Sequence, residues 1–100
     1  MTRCGWKTRE PEVVAVIDEA LYEAGHAEER YGPFTSAHEG YGVLAEEVAE
    51  LLEAIRSGRL ESVRAEAIQV AAVAMRLAAC CREGEAFQSR SLGGGPKVTL

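Results

Sequence analysis

Three stretches of the chain repeat apolar residues at helical spacing. The first contains Val13, Ile17, Ala20, Leu21 and Ala24, and the second contains Leu44, Val48, Leu51, Leu52 and Ile55. Residues three or four positions apart share one side of a helix, so each stretch predicts an amphipathic helix. The third stretch, from about Leu60 to Arg82, is apolar on nearly every side. The pattern therefore predicts an all-α fold with three main helices and no strand.

Glycine and proline place the ends of the first helix and of the domain. Pro11 suits a first helical turn, where its missing N–H would be unpaired in any case. Gly32 and the proline after it predict a stop near Tyr31. We expect a flexible lead-in over residues 1–11, an all-α domain over residues 12–83, and a flexible glycine-rich tail over residues 84–100.

The second helix has a predicted cap at each end. The segment from Ser36 to Glu39 fits a capping box, in which Ser36 accepts a hydrogen bond from the first turn and Glu39 reaches back to the cap residue. Gly58 predicts a left-handed cap after Ser57. The second helix is therefore expected to stop near Ser57, and the third to begin at about Leu60.

The third helix indicates a partner subunit. A helix that is apolar on nearly every side must be nearly surrounded, and a three-helix protomer of this length cannot surround it. We therefore expect a homodimer or homotetramer, in which a second copy of the chain supplies the missing wall.

Composition and charge narrow the function classes. The chain has 100 residues, of which 47% are apolar, and a net charge of −5, which disfavours binding to a nucleic-acid backbone. It lacks an apolar signal core and any run long enough to span a membrane. Its three cysteines have no metal-ligand spacing and are typical of reduced thiols. We expect a cytoplasmic protein with no membrane or nucleic-acid partner.

One glutamate stands out because it interrupts the apolar third helix. An isolated Glu66 carboxylate would cost several kcal/mol to desolvate unless it were neutralised, paired or bound to a cation. The run AEEVAELLE in the second helix supplies Glu46, Glu47, Glu50 and Glu53. Mg²⁺ fits such a group, because it takes oxygen ligands and commonly bridges carboxylates to phosphates. Two alternatives stay open: a solvated acidic face on the second helix, and a salt bridge from Glu66 to Arg56 or Arg76.

These residues resemble the all-α nucleoside triphosphate pyrophosphohydrolases of the MazG-like superfamily. The family pattern is EExxE on one helix and ExxD on the next. Here EEVAE, which contains Glu46, Glu47 and Glu50, is followed by EAIQ, which begins at Glu66. The resemblance covers about residues 12–80. Over these residues the chain is similar to a compact single-domain branch of that superfamily. It implies Mg²⁺-dependent hydrolysis of a nucleoside triphosphate, often a deoxy or damaged one, to the monophosphate and pyrophosphate.

The resemblance also implies roles for individual residues. Glu47, Glu50 and Glu66 are expected to be metal ligands. Glu46 is expected to be a further ligand or the group that deprotonates water, so the catalytic pair would be Glu46 and Glu47. Gln69 stands where the family has aspartate and can offer only an amide oxygen, so Glu39 is a candidate compensating ligand.

Three further residues are candidate substrate contacts. Arg76 is placed to meet the leaving pyrophosphate, because it lies on the same side of the third helix as Glu66. Tyr31 and His38 are candidates to line the binding site of the nucleotide base. Cap, turn and packing roles are the competing interpretation.

Two other function classes compete with the hydrolase. Because Gln69 removes a charge, the chain is alternatively a non-catalytic helical dimer that senses a nucleotide or binds a partner. The last class is an acidic interaction protein with no nucleotide connection.

Overall fold

Residues 5–81 of the protein form three α-helices. A computed structural model describes residues 5–81, in which α1 spans Trp6–Tyr31, α2 spans Ala37–Ser57 and α3 spans Leu60–Cys80. The predicted all-α fold with three helices is therefore confirmed. The predicted tail, residues 84–100, and the predicted end of the third helix at Arg82 lie outside the described residues.

The first helix begins earlier than the sequence predicted. It starts at Trp6, so that Pro11 lies inside the helix and not in its first turn. Proline costs the hydrogen bond that its N–H would have made, but the first turn has contacts of its own. Thr8 Oγ1 donates to the Gly5 carbonyl at 2.8 Å, and the Arg9 guanidinium lies 5.4 Å from the Trp6 ring centre. Residues 6–11, which the sequence predicted as part of a flexible lead-in, are therefore helical.

The cap at the start of α2 differs from the prediction in one partner. Ser36 Oγ accepts a hydrogen bond from the Glu39 N–H at 3.0 Å, as predicted. Glu39 Oε1 reaches back to Thr35, not Ser36, and accepts from its N–H at 2.8 Å and from its hydroxyl at 3.0 Å. Thr35 offers two donors to one oxygen, whereas the Ser36 backbone offers one, and this accounts for the shift. These two hydrogen bonds also lower the pKa of Glu39.

The turn from α2 to α3 has the predicted glycine cap. Gly58 has a φ of 79°, and its N–H donates to the Ile55 carbonyl at 3.1 Å. This left-handed conformation is readily adopted by glycine, which has no Cβ to clash. Because α3 starts two residues after Gly58, α2 and α3 run side by side in opposite directions.

The third helix lies in the middle of a single layer. It packs against α1 and α2, whereas no Cα atom of α1 comes within 8 Å of a Cα atom of α2. Small residues allow the close approach at both contacts. A Cβ added at Gly40 in α2 would lie 2.6 Å from Leu77 Cδ1 in α3. On the other side, α1 presents buried Ala20 and Ala24.

Among residues 5–81, few large side chains are buried. The buried apolar residues are Ala20, Ala24, Phe34, Ala37, Ala54, Ile68, Ala72 and Val73. Much of the predicted apolar stripes stays exposed, as shown by Ile17 at 54%, Leu21 at 60% and Val48 at 47%. Within residues 5–81, no helix combines the length and the apolar character that crossing a membrane requires.

Candidate functional site

The packing of α2 forces one glutamate into the contact with α3. Gly40 and Ala54 are both buried, and Glu47 lies seven residues from each of them. Seven residues are close to two helical turns, so the three positions share one side of α2. The Glu47 side chain is therefore directed towards α3, although its neighbours in sequence at 46 and 48 are exposed.

Two more carboxylates meet Glu47 between the helices. Glu50 follows it by one turn of α2, and Glu66 reaches across from α3. Each of the three offers an oxygen, and these oxygens all lie within 4.8 Å of one another. Glu66 occupies this position because it lies seven residues before Val73, which is buried on the same side of α3. We call Glu47, Glu50 and Glu66 the carboxylate cluster.

The cluster concentrates negative charge in a partly desolvated place. The pKa of Glu47 is raised, first by burial and then by the charges of Glu50, Glu66 and Glu46. Its Oε1 atom is buried and has no hydrogen-bond partner among residues 5–81. A buried acceptor without a donor costs free energy, and so does an ion among like charges. The cluster therefore lacks a positively charged or donating partner among the described residues.

The arginines that might have neutralised Glu66 are paired elsewhere. Arg56 lies 3.9 Å from Glu53 on its own helix, and Arg76 Nε donates to Glu28 Oε2 at 2.9 Å. Neither arginine forms a salt bridge with Glu66. The alternative of a salt bridge from Glu66 to Arg56 or Arg76 is therefore wrong.

The other predicted ligands lie beside the cluster and not in it. Glu46 is exposed and lies one residue before Glu47. Gln69 is half-buried on α3, one turn after Glu66. Glu39 lies outside the three-residue cluster, and its Oε1 is occupied by Thr35. The hydrogen bonds to Thr35 therefore hold the Glu39 carboxylate at the start of α2.

A groove opens between α1 and α2, with α3 as its floor. It has a volume of about 510 Å³ and includes Glu39, Glu46, Glu47 and Gln69 in its walls. The α1 wall consists of Glu23, His26, Ala27, Arg30 and Tyr31. Sequence reasoning missed the polar members of that wall other than Tyr31. Their spacing of three and four residues, on the last turns of α1, was the available signal.

Two of the three predicted substrate contacts line the groove. Tyr31 is 73% exposed at its edge. Arg76 is buried in its floor, where Nη2 donates to the Gly32 carbonyl at 3.1 Å and the guanidinium lies 4.2 Å from the centre of the Phe34 ring. His38 is not among the lining residues, and its Nε2 atom is buried without a hydrogen-bond partner.

A second cavity lies on the other side of the cluster, beside the α2–α3 turn. Its volume is about 380 Å³, and its walls include Glu50, Glu66, Ser57, Arg59 and Ser62. The carboxylate cluster therefore joins two cavities, since Glu47 lines the groove and its two partners line the second cavity. Sequence reasoning also missed the arginine and the two serines of this second cavity.

The ligand atoms available in the cluster suit a hard divalent cation. All are carboxylate oxygens, which Mg²⁺ prefers, and the buried Glu47 Oε1 lacks a partner that such an ion would provide. The cluster has no thiolate or imidazole, the ligands that favour softer metals. The residues present therefore fit Mg²⁺ chemically.

Comparisons with known proteins add no identification. No known protein family, no functionally characterised protein and no solved structure matches the chain. The resemblance to MazG-like pyrophosphohydrolases therefore rests on the residue pattern quoted above.

Proposed function

We propose that the protein is a Mg²⁺-dependent hydrolase that cleaves a nucleoside triphosphate, including deoxy forms, to the monophosphate and pyrophosphate. The observation that supports this proposal most is the carboxylate cluster, whose oxygens lie within 4.8 Å of one another and form no salt bridge with any cationic side chain among the described residues. A divalent cation would relieve this repulsion, and a phosphate chain would bring the negative charge that such an ion binds.

The proposed metal ligands are Glu47, Glu50 and Glu66. Gln69 is next to them in the groove and would contribute an amide oxygen or hold a water molecule. When bound, Mg²⁺ would neutralise phosphate charge and favour attack of water at the α-phosphorus. Glu39 is retained only as a candidate ligand, because its cap hydrogen bonds compete with that role.

The chain's own residues would perform the remaining tasks. Glu46 is exposed in the groove wall beside Glu47, where it is placed to accept a proton from the attacking water. The groove would hold the nucleoside, with Tyr31 available at the rim to stack on the base. Arg76 would shape the groove floor and offer positive charge, but two of its nitrogens already bind Glu28 and Gly32. His38 stays a predicted base contact without a place in the groove wall.

A pyrophosphate-release assay over a panel of nucleoside triphosphates, with and without Mg²⁺, tests the proposal. We expect turnover that requires Mg²⁺ and falls by about a hundredfold or more in Glu50→Gln, since loss of a ligand disrupts the metal site directly. Glu61→Gln is the matched control, because Glu61 is an exposed glutamate outside both cavities. Equal rates in the two variants would refute the proposed role of the cluster.

The second candidate function is a non-catalytic nucleotide sensor or partner-binding module. Gln69 favours it, because an amide in place of the family's aspartate gives a cation one negative charge less. This module would bind a nucleoside triphosphate in the same groove without releasing pyrophosphate. Binding detected by calorimetry, together with no release over the whole panel, would select the module over the hydrolase.

We also propose that two copies associate through the face opposite the groove. On all three helices, a helical wheel separates the groove-lining residues from a group of exposed apolar residues. That apolar face contains Val14, Ile17, Leu21, Val48, Leu52, Ile55, Ala67, Ala74 and Ala78. Its contiguity across a protomer with a core made largely of alanines supports a second copy as the missing cover.

Molar mass in solution tests the association. We expect at least twice the 10.8 kDa mass of one chain for the wild type, and a shift towards a single chain for Ile55→Glu, which puts a charge on a side chain that is 53% exposed. A mass of one chain at all accessible concentrations would refute the dimer. Higher multiples would indicate a tetramer.

A further inference from the structure

The position of the carboxylate cluster between two cavities suggests how a triphosphate would lie across it. We infer that the second cavity is the binding site for the pyrophosphate half of the substrate, with Arg59 as its principal anion contact. This inference rests on the proposed hydrolase function, and it assigns a role to residues that the EExxE and ExxD pattern does not include.

The two cavities differ in the chemistry of their walls. The groove is larger and presents Phe34, Val43 and Val73, which suit the apolar faces of a nucleoside. The second cavity has one apolar side chain, Ala54, and otherwise two serines, one arginine and three glutamates, of which Glu50 and Glu66 belong to the carboxylate cluster and would face the bound cation. A nucleoside would therefore lie in the groove, and the part of the ligand beyond the cluster would be the more polar one.

Two polar groups of the second cavity, Arg59 and Ser62, are suited to phosphate oxygens. Arg59 offers a guanidinium, which matches phosphate geometry, and its Nη2 donates to Ser62 Oγ at 3.3 Å. Ser57 Oγ accepts from the Arg59 N–H at 3.2 Å and donates its proton to the Ala54 carbonyl at 2.7 Å, so it holds the turn that carries Arg59. Arg59 is also the residue before the first turn of α3, where N–H groups favour anions, and no side chain caps that end.

Arg76, the arginine in the floor of the groove, is less available for this contact. Arg76 is buried and held by Glu28 and Gly32, so it would have to break an ion pair to bind a phosphate. Arg59 is exposed, and among the described residues its side chain forms no salt bridge. Phosphate oxygens can therefore reach its guanidinium without loss of an internal ion pair.

The reaction would then split the substrate at the boundary between the cavities. The water oxygen forms a bond to the α-phosphorus while the bond from that phosphorus to the bridging oxygen breaks. Pyrophosphate leaves into the second cavity with the bridging oxygen and its electron pair, and the proton from the water passes to Glu46. The monophosphate stays in the groove until it dissociates.

Measurements of product binding distinguish a pyrophosphate site from an acidic surface that binds no product. In Mg²⁺ buffer, calorimetry would measure the affinity for inorganic pyrophosphate and for the monophosphate of the triphosphate that is hydrolysed. We expect Arg59→Ala to weaken pyrophosphate binding by about tenfold or more, the usual effect of losing a charged hydrogen bond, and to leave monophosphate binding unchanged. Circular dichroism would verify that the variant keeps its helices.

Arg56→Ala is the matched control, since Arg56 is an exposed arginine three residues away that does not line the second cavity. It should leave both affinities unchanged. If Arg59→Ala matches this control while the wild type hydrolyses triphosphates, the pyrophosphate site is refuted and the hydrolase stands. If the wild type shows no turnover, the hydrolase is refuted, and the pyrophosphate site with it.

Discussion

The contacts of α3 with α1 and with α2 differ in how their charged side chains are paired. Facing α1, Arg64 binds Glu19 through two hydrogen bonds of 3.0 and 2.8 Å, and Arg76 binds Glu28 at 2.9 Å. Facing α2, Glu66 meets Glu47 and Glu50, and no arginine or lysine in residues 5–81 pairs with them. One contact is neutralised within the chain, whereas the other keeps an excess of negative charge.

This difference teaches more than the number of acidic residues does. Acidic faces are common on helices and usually mean only solvation. Here the same helix, α3, pairs its arginines with the glutamates of α1 while it presents a glutamate to the glutamates of α2. A contact of that kind is unfavourable for folding alone. Its presence beside two cavities is the physical reason to look for a ligand.

The largest expected effect comes from breaking the neutralised contact. Arg76 is 7% exposed, and Arg76→Ala would leave Glu28 unpaired, free the Gly32 carbonyl and remove the packing on Phe34. The partner left behind, Glu28, is 37% exposed and can be hydrated, so we expect the free energy of unfolding to fall by about 2 kcal/mol, chiefly from the lost charged hydrogen bonds and packing of Arg76. Chemical denaturation measures it.

Arg64→Ala is the control for this prediction, because the Arg64–Glu19 pair has the same charges but is half exposed. Exposed ion pairs contribute little to stability. We therefore expect a much smaller change in the denaturation midpoint than for Arg76→Ala. Equal losses in the two variants would mean that burial does not distinguish the pairs.

Sequence reasoning predicted the fold better than the contacts. The helical spacing of the apolar residues and Gly58 gave three helices and the end of the second one because both signals are local. The early start of α1 at Trp6 was missed, since Pro11 favours a first turn but does not forbid a helix before it. The shift of Glu39 from Ser36 to Thr35 depends on which donors the loop presents, and spacing does not encode that.

The candidate site was predictable in part for the same reason. The grouping of Glu47, Glu50 and Glu66 follows from one helical register and one tight turn. The ion-pair partners of Arg76 and Arg64 could not be predicted in this way. They lie on α1, which is more than 40 residues away along the chain. A role for Arg59 was not predicted, because a residue at a turn belongs to no periodic pattern. The second cavity, in addition, forms only when the helices pack together.

A smaller change in stability is expected at the contact of α3 with α2, where the negative charge is not neutralised within the described residues. In metal-free buffer near pH 7, Glu47→Gln removes a partly buried carboxylate from its like-charged neighbours, so the variant should be more stable than the wild type by roughly 0.5 kcal/mol. Adding Mg²⁺ should reverse the order, because an ion that binds the folded state stabilises only a protein that retains its ligands. Thermal unfolding with and without Mg²⁺ measures both changes, and Glu61→Gln should respond to Mg²⁺ like the wild type.

The pH dependence of the stability gained by Glu47→Gln tests whether charge is its cause. The pKa of Glu47 is raised in the folded protein, so the folded state holds this proton more tightly than the unfolded chain does. The contribution of Glu47 to stability is therefore fully present below its unfolded pKa and is lost as the pH rises through its folded pKa. In metal-free buffer the advantage of Glu47→Gln should accordingly shrink as the pH is lowered through that range. A stability difference that does not change with pH would mean that the substitution acts through packing, and the contrast between the two contacts of α3 would not be one of charge.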